Sequence, residues 1–217
     1  TLDRADPCMN ITRVYLDSIP SGQGPIKLRD ALRDGAVVAN YNGHGGGGVW
    51  SGSELIDVAG VRLLNNRSNF PFVTNFTCYV GAFDSPSQAD VLGEAFIFTR
   101  NNNDDLIGGI GFYSSSGVGW AASGRNMQGY LFDFLLNPPA RTLGEAAVIN
   151  KARYWSSLSQ TVSFTPQHGM MMMMNLLGDP GVRLALPKES IEPEIIGGSH
   201  YVSAYDSVAQ DSLRLRI

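Results

Sequence analysis

Two side chains in this chain can together perform nucleophilic chemistry, the thiol of Cys78 and the imidazole of His44. A thiol attacks carbonyl carbon well only as thiolate, and a nearby imidazole both takes its proton and later returns one to a leaving amine. Each residue stands just past an apolar, β-prone run. Ala36-Val37-Val38-Ala39-Asn40-Tyr41 leads into Asn42-Gly43-His44-Gly45-Gly46-Gly47-Gly48, and Phe72-Val73-Thr74-Asn75-Phe76-Thr77 delivers Cys78, Tyr79, Val80 and Gly81. Open parallel sheets bind ligands beyond the carboxyl ends of their strands, which is where both residues fall. The crossover from Gly48 to Phe70 is long enough to lay the two strands side by side. His44 and Cys78 are therefore expected across one cleft. Glycine lets backbone approach a substrate closely, so the backbone around Gly45 and the N–H of Cys78 are the expected oxyanion donors.

Other chemistries fit the same residues less well. Gly43 to Gly48 formally satisfies G-x-G-x-x-G after a strand, but no carboxylate stands about 20 positions on to hold a ribose. No Lys-Ser or Lys-Thr follows the glycines, which removes a P-loop. His44-Gly45-Gly46-Gly47 resembles the oxyanion stretch of some esterases, yet no G-x-S-x-G elbow is present. Cys8, Cys78, His44, His168 and His200 never cluster at zinc-site spacing, so no metal ligand is assigned. Two cysteines allow one bridge; the setting of Cys78 predicts that it stays a free thiol. Asp84, Asp90 and Glu94 read either as a charged helix start or as a pocket for a basic side chain. Trp50 and Trp120 read equally as core rings or as site walls.

The elements that must position this pair follow from periodicity. Strands are expected at Ile11–Leu16, Ala36–Tyr41, Phe72–Thr77, Leu106–Tyr113 and Val182–Leu186. Helices are expected at Ile26–Arg33, Ala89–Thr99, Gly129–Leu136, Leu143–Ser157 and His168–Leu177, with Gly35 stopping the first. Strands alternating with crossover helices predict a three-layer α/β fold with a mainly parallel central sheet. Met170–Met174 reads as a buried, adaptable methionine stretch. After Pro187 the composition turns to a Glu- and Pro-containing linker, then Gly197-Gly198, then alternating segments. The expected division is a domain over 1–187 and, over 188–217, a linker with the start of a β-rich, sandwich-like module.

The 217 residues are 43% hydrophobic, enough for a buried core. Only 17% are charged and the net charge is −4 with no basic cluster, which argues against nucleic acid as a partner. No apolar run approaches the roughly 20 residues needed to cross a bilayer as a helix. The chain opens at Thr1 and reaches a strand-like segment almost at once, the pattern expected of a piece of a longer precursor.

At these same residues the sequence resembles the gingipain family of cysteine peptidases, which have a caspase-like fold. The resemblance rests on Asn40-Tyr41-Asn42-Gly43-His44-Gly45, Trp50, Leu64-Asn65, and Pro71-Phe72-Val73 leading to Cys78. Further on it includes Gly81-x-Phe83-Asp84, Leu92-Gly93-Glu94-Ala95, Gly108-Gly109 with Ser114 to Ser116 and Trp120, and Leu177-Gly178-Asp179-Pro180. It spans roughly Leu28 to Leu186 and implies His44 and Cys78 as the catalytic pair of an endopeptidase acting through an acyl-enzyme. Ser114, Ser115, Ser116 and Trp120 are then the implied substrate contacts. Within the family, the Asn40–Gly45 and Leu176–Pro180 elements most resemble the signal peptidase, or sortase, of the type IX secretion system. That likeness implies a secreted or bacterial cell-surface, outer-membrane-associated protein. Its substrate would be a protein or peptide such as cargo bearing a C-terminal sorting domain, its partner an outer-membrane secretion complex, and its reaction hydrolysis or transpeptidation. No cofactor is required, although a structural calcium is compatible. The family's Q-A-C-x-G caspase relatives are not matched at Thr77-Cys78-Tyr79-Val80-Gly81, so cleavage after Asp is not implied. For the acid that orients the histidine, Asp6 and Asp17 are the candidates. The alternative reading is a catalytically inert relative serving as a surface-assembly or binding module.

Overall fold

The computed structural model describes residues 9–51, 55–85, 90–136, 142–158, 165–185, 192–196 and 212–216. The chain divides into two compact units, Thr1–Leu184 and Ala185–Ile217. In the second unit β8 (Glu192–Ile196) and β9 (Ser212–Arg216) pair antiparallel.

The first unit is built on a four-stranded sheet in the order β1 (Val38–Asn42), β5 (Phe72–Phe76), β6 (Gly111–Ser115), β7 (Met174–Gly178). β1, β5 and β6 run parallel and β7 antiparallel. Alternation within the strands splits the core in two. Val73 and Phe112 face a layer made by α1 (Gln23–Asp34), α2 (Val58–Arg62) and α3 (Leu92–Phe98), with Leu32, Val61, Leu92 and Phe96 buried in it. Phe72, Phe76 and Tyr113 face α4 (Ala121–Leu136), α5 (Leu143–Ser157) and α6 (Pro166–Met173), burying Met127, Leu131, Tyr154 and Met170. The α/β fold with three layers and a mainly parallel sheet is thus present. Between β1 and β5 a small antiparallel sheet of β2 (Gly45–Gly46), β3 (Val49–Trp50) and β4 (Ile56–Asp57) covers the α1 side.

Local chemistry fixes most element ends. α1 presents Leu28 and Leu32 inward and stops at Gly35, whose φ of 101° only glycine adopts easily. Asp57 caps α2 by accepting the Gly60 N–H at 2.6 Å, and Thr142 caps α5 through Glu145 N–H at 3.1 Å. Glu94 reaches back to accept the Val91 N–H at 3.1 Å at the start of α3.

Five expectations require correction. Ile11–Leu16 forms no strand: residues 11–15 are irregular and Leu16–Ser18 is a 3₁₀ turn, with Tyr15 exposed and no neighbouring strand to pair with among the described residues. β6 begins at Gly111 rather than Leu106, because Gly108 (φ 106°) packs its Cα on the Phe96 carbonyl and Gly109 N–H donates to that oxygen at 2.7 Å. The preceding residues are spent wrapping the end of α3. α4 begins eight residues before the expected Gly129: Gly124, a poor helix former, is kept by its close approach to Phe76, whose Cβ would lie 3.2 Å from any Cβ there. The expected helix over His168–Leu177 breaks at Met174 into β7, and β7 replaces the expected closing strand at Val182–Leu186. Val182 is irregular and instead accepts the Leu143 N–H at 2.9 Å. Apolar runs of this length read alike as helix or strand, and β6 offered the free edge that decided it. Met170 and Met174 are fully buried, as a packed methionine stretch requires, while Met172 is exposed.

Two tyrosines record how the sheet is buried. The Tyr41 hydroxyl is pushed from 10.0 up to about 12, chiefly by burial, with a backbone hydrogen bond from Ser51 acting in the opposite direction. Burial pushes Tyr113 up further still, and its hydroxyl donates to Asn150 Oδ1 at 3.0 Å, tying β6 to α5. Because both phenols titrate higher folded than unfolded, their contribution to stability is complete below pH 10 and is lost as pH rises above it, through about 12 for Tyr41 and higher for Tyr113. Urea midpoints followed against pH should therefore stay level up to pH 10 and then fall. Tyr113→Phe should make that fall shallower, and a decline equally steep in the variant would contradict the assignment.

Candidate active site

β1 and β5 are neighbours, parallel and in register, with Asn42 opposite Phe76. His44 and Cys78 each stand two residues beyond that matched pair, so both leave the sheet at the same carboxyl edge. His44 is exposed, and Cys78 is a half-buried free thiol. Cys8 lies outside the described residues, as do Asp6 and His200. Asp17 sits in the exposed 3₁₀ turn.

The histidine loop is held by its backbone. Tyr41 Oη donates to the His44 carbonyl at 2.6 Å, and Ser51 N–H donates to the same oxygen at 2.7 Å. The Tyr41 ring stacks on Trp50 at 4.6 Å, Trp50 on Phe96 at 5.7 Å, and Phe96 on Phe112 at 5.5 Å. Trp50 is therefore a core ring, 1% exposed, whose column carries the His44 loop down to the centre of the sheet. Gly45 opens β2 opposite Trp50, and a Cβ on it would lie 2.6 Å from Thr77 Oγ1 and 3.0 Å from Thr77 Cγ2. The residue after the histidine thus rests on the residue before the cysteine.

The cysteine loop is held from the other side by residues 115–120. Tyr79 N–H donates to Gly117 O at 2.9 Å and Gly81 N–H to Ser115 O at 3.1 Å. Tyr79 has a φ of 59°, a strained value for a bulky residue, and turns the chain sharply just after the thiol. Gly119 N–H donates to Cys78 Sγ at 3.2 Å, and the thiol faces Gly119 O at 3.7 Å. None of the turn and loop hydrogen bonds of the described residues uses the Cys78 N–H.

Of the expected substrate contacts, Ser114 and Ser115 lie in β6 and are fully buried, and Ser115 Oγ closes on Gly117. Ser116 is half-buried and bonded to Met173 O, and Trp120 is 37% exposed. The solvent-facing part of this wall is Ser116, Val118 and Trp120. Asp90 pairs with Arg62 at 2.6 Å and Glu94 caps α3, so both carboxylates have structural roles, while Asp84 is exposed. His168 is buried, accepts the Thr165 N–H at 3.1 Å and packs edge-on to Trp155. Among the described residues no group of three His, Cys, Asp or Glu is placed to hold a metal ion. Two clefts of about 230 and 240 Å³ lie elsewhere, one under β7 and one beside α1. Neither cleft is lined by His44 or Cys78. Sequence reasoning missed Tyr41, Thr77 and Gly119; the Gly117-Val118-Gly119 spacing was the available sign of close backbone approach.

The family model for peptidase family C25 matches residues 1–185. The chain belongs to this gingipain-type family of cysteine peptidases. Its fold is similar to that of the complex of Porphyromonas gingivalis RgpB pro- and mature domains, with a TM-score of 0.66 at 21% identity over 79% of this chain and 40% of that one. The Arg-specific cysteine proteinase gingipain R (RGPB) gives 0.66 and 21% over 79% and 39%. A third solved structure, described only as a protease, gives 0.58 and 15% over 80% and 41%. The C25 chain thus spans about two fifths of the length of the solved structures it matches, and these likenesses establish its caspase-like fold. No curated protein matches it.

The contact of Gly45 with Thr77 gives a direct test of the C25 site. Gly45→Ala forces a methyl into the buried Thr77 side chain, so it should cost about 1–3 kcal/mol as overpacking does. It should also displace the His44 loop and slow modification of Cys78 by a peptidyl electrophile at least tenfold. Parental reactivity in a variant that melts lower would show that the two loops are not coupled there.

Proposed function

We propose that this domain is a cysteine endopeptidase in which Cys78 is the nucleophile and His44 the general acid and base. The observation that carries the reading is the register of β1 with β5, which brings the two residues out of adjacent parallel strands at one edge. In the proposed reaction His44 takes the thiol proton, Cys78 Sγ bonds to the scissile carbonyl carbon, and the carbonyl electron pair moves onto oxygen. The Cys78 N–H and the backbone at Gly45 are the donors proposed for that oxyanion. As the oxyanion collapses the C–N bond breaks and His44 gives its proton to the leaving amine. A water, or an amine of an acceptor, then attacks the thioester, His44 takes its proton, and the thiol is re-formed. Ser116 and Trp120 are proposed to line the substrate's path. No cofactor enters this scheme.

We further propose that the parent protein acts at the bacterial cell surface as a type IX secretion sortase, removing C-terminal sorting domains from cargo or transferring the cargo to an acceptor. Support comes from Asn40-Tyr41-Asn42-Gly43-His44-Gly45 and Leu176-Leu177-Gly178-Asp179-Pro180, and the partner would be an outer-membrane secretion complex.

Cys78→Ala and His44→Ala in the full-length gene product should each abolish release of a C-terminal sorting domain. Their thermal stability should stay within about 1 kcal/mol of the parent, since both side chains have chemical rather than packing roles. The losses should not add in the double variant, because the two residues act as a unit. Parental processing by both variants would sink the catalytic assignment. A parent that binds cargo without ever cleaving it would favour the inert binding module.

A further inference from the structure

The sulfur of Cys78 has a fixed partner that the nucleophile-and-base description leaves out. Gly119 N–H donates to Sγ at 3.2 Å, whereas the bond in the opposite sense, from the thiol to Gly119 O, is the looser one at 3.7 Å. Gly119 has little freedom to move away. A Cβ on it would lie 2.9 Å from Thr77 O and 3.0 Å from Thr77 C, so its backbone is pressed onto the backbone just before the nucleophile. On its amino side, Gly117 O accepts the Tyr79 N–H, and Ser115 Oγ closes on both the N–H and the carbonyl of Gly117 at 3.2 Å. On its carboxyl side, Trp120 N–H lies 3.5 Å from Met170 Sδ, and Trp120 O accepts the first turn of α4 from Gly124 at 2.7 Å.

A thiol can donate to a carbonyl, but a thiolate can only accept. An N–H held on the sulfur is therefore matched to the charged form, and a hydrogen bond to a charged group is about twice as strong as one between neutral groups. Here the backbone donor is held tighter than the backbone acceptor.

We propose that Gly119 is a positioning residue for the nucleophile, its backbone N–H holding Cys78 Sγ as thiolate and aiming it along the 115–120 wall. This rests on Cys78 being the nucleophile and adds a second support for its charge besides His44. It also accounts for glycine at 119, since any side chain would part the two backbones.

The test replaces Gly119 in the full chain by glycolic acid, which turns its amide into an ester and removes the N–H without adding a side chain. Alkylation of Cys78 by iodoacetamide at neutral pH should slow about three- to fourfold, since the remaining thiolate is scarcer but more nucleophilic, and its pH profile should move toward alkaline pH by about one unit, the effect of one hydrogen bond to a charged group. The same exchange at Gly181, whose N–H donates to Asp179 Oδ1 at 2.7 Å and which has no part in the 115–120 wall, should leave the profile in place. An unmoved profile in the Gly119 ester, or equal shifts in both esters, overturns the proposal. A measurement on the unaltered chain stands beside it in case the ester misfolds. With ¹⁵N-glycine labelling, the Gly119 amide proton should move downfield as Cys78 ionises and should not do so in Cys78→Ala, and an amide that ignores the thiol overturns the proposal. Cargo cleavage that survives Cys78→Ala would remove the nucleophile assignment itself, and leaves the contact between sulfur and amide measurable on its own.

Discussion

Everything at this site depends on the in-register parallel pairing of β1 with β5. A slip of one residue in either strand would turn its side chains to the other face of the sheet and separate the two loops. Val73 and Phe112 on one face, and Phe72, Phe76 and Tyr113 on the other, sit in different cores and make such a slip costly. The apolar core thus sets the position of polar residues that it does not itself contain.

The sheet changes character as it nears its carboxyl edge. One row on the α1 side reads Ala39, Val73, Phe112 and Leu177, all apolar. The next row on that face reads Tyr41, Asn75, Ser114 and Asn175, and beyond it comes Thr77. Asn75 Oδ1, Ser114 Oγ and Thr77 Oγ1 are buried without a hydrogen-bond partner among the described residues. This edge is therefore more polar than the rows beneath it. Local compromises of this kind are expected where a fold carries function.

Three glycines then bring the loops to van der Waals contact. Gly45 rests on the Thr77 side chain, Gly119 on the Thr77 backbone, and Gly81 on Ser114. Thr77 is accordingly the hub between the histidine loop, the cysteine loop and the 115–120 wall, although its own hydroxyl takes no part in the proposed chemistry. The aromatic column from Tyr41 to Phe112 supports the histidine side of that hub, and Tyr79, strained at positive φ, marks its cysteine side.

The sequence by itself determined that His44 and Cys78 each follow a strand, the parallel α/β character and the helix α5, because these depend on residue type, on apolar periods and on capping residues close in the chain. His44 after a strand-forming run, Cys78 after another, and Thr142 ahead of an amphipathic stretch are all local signals. Only the tertiary structure decided whether Met174–Gly178 or Val182–Leu186 would join β6, that α4 would run through Gly124, and that Ile11–Leu16 would form no strand. Those outcomes depend on which edge is free and which backbone comes close, and neither is written in a local window. The same reason hid Gly119 and Thr77. Each matters only through a partner about forty residues or more away or in another loop, and a glycine or a threonine carries no mark of that partner until the chain has folded.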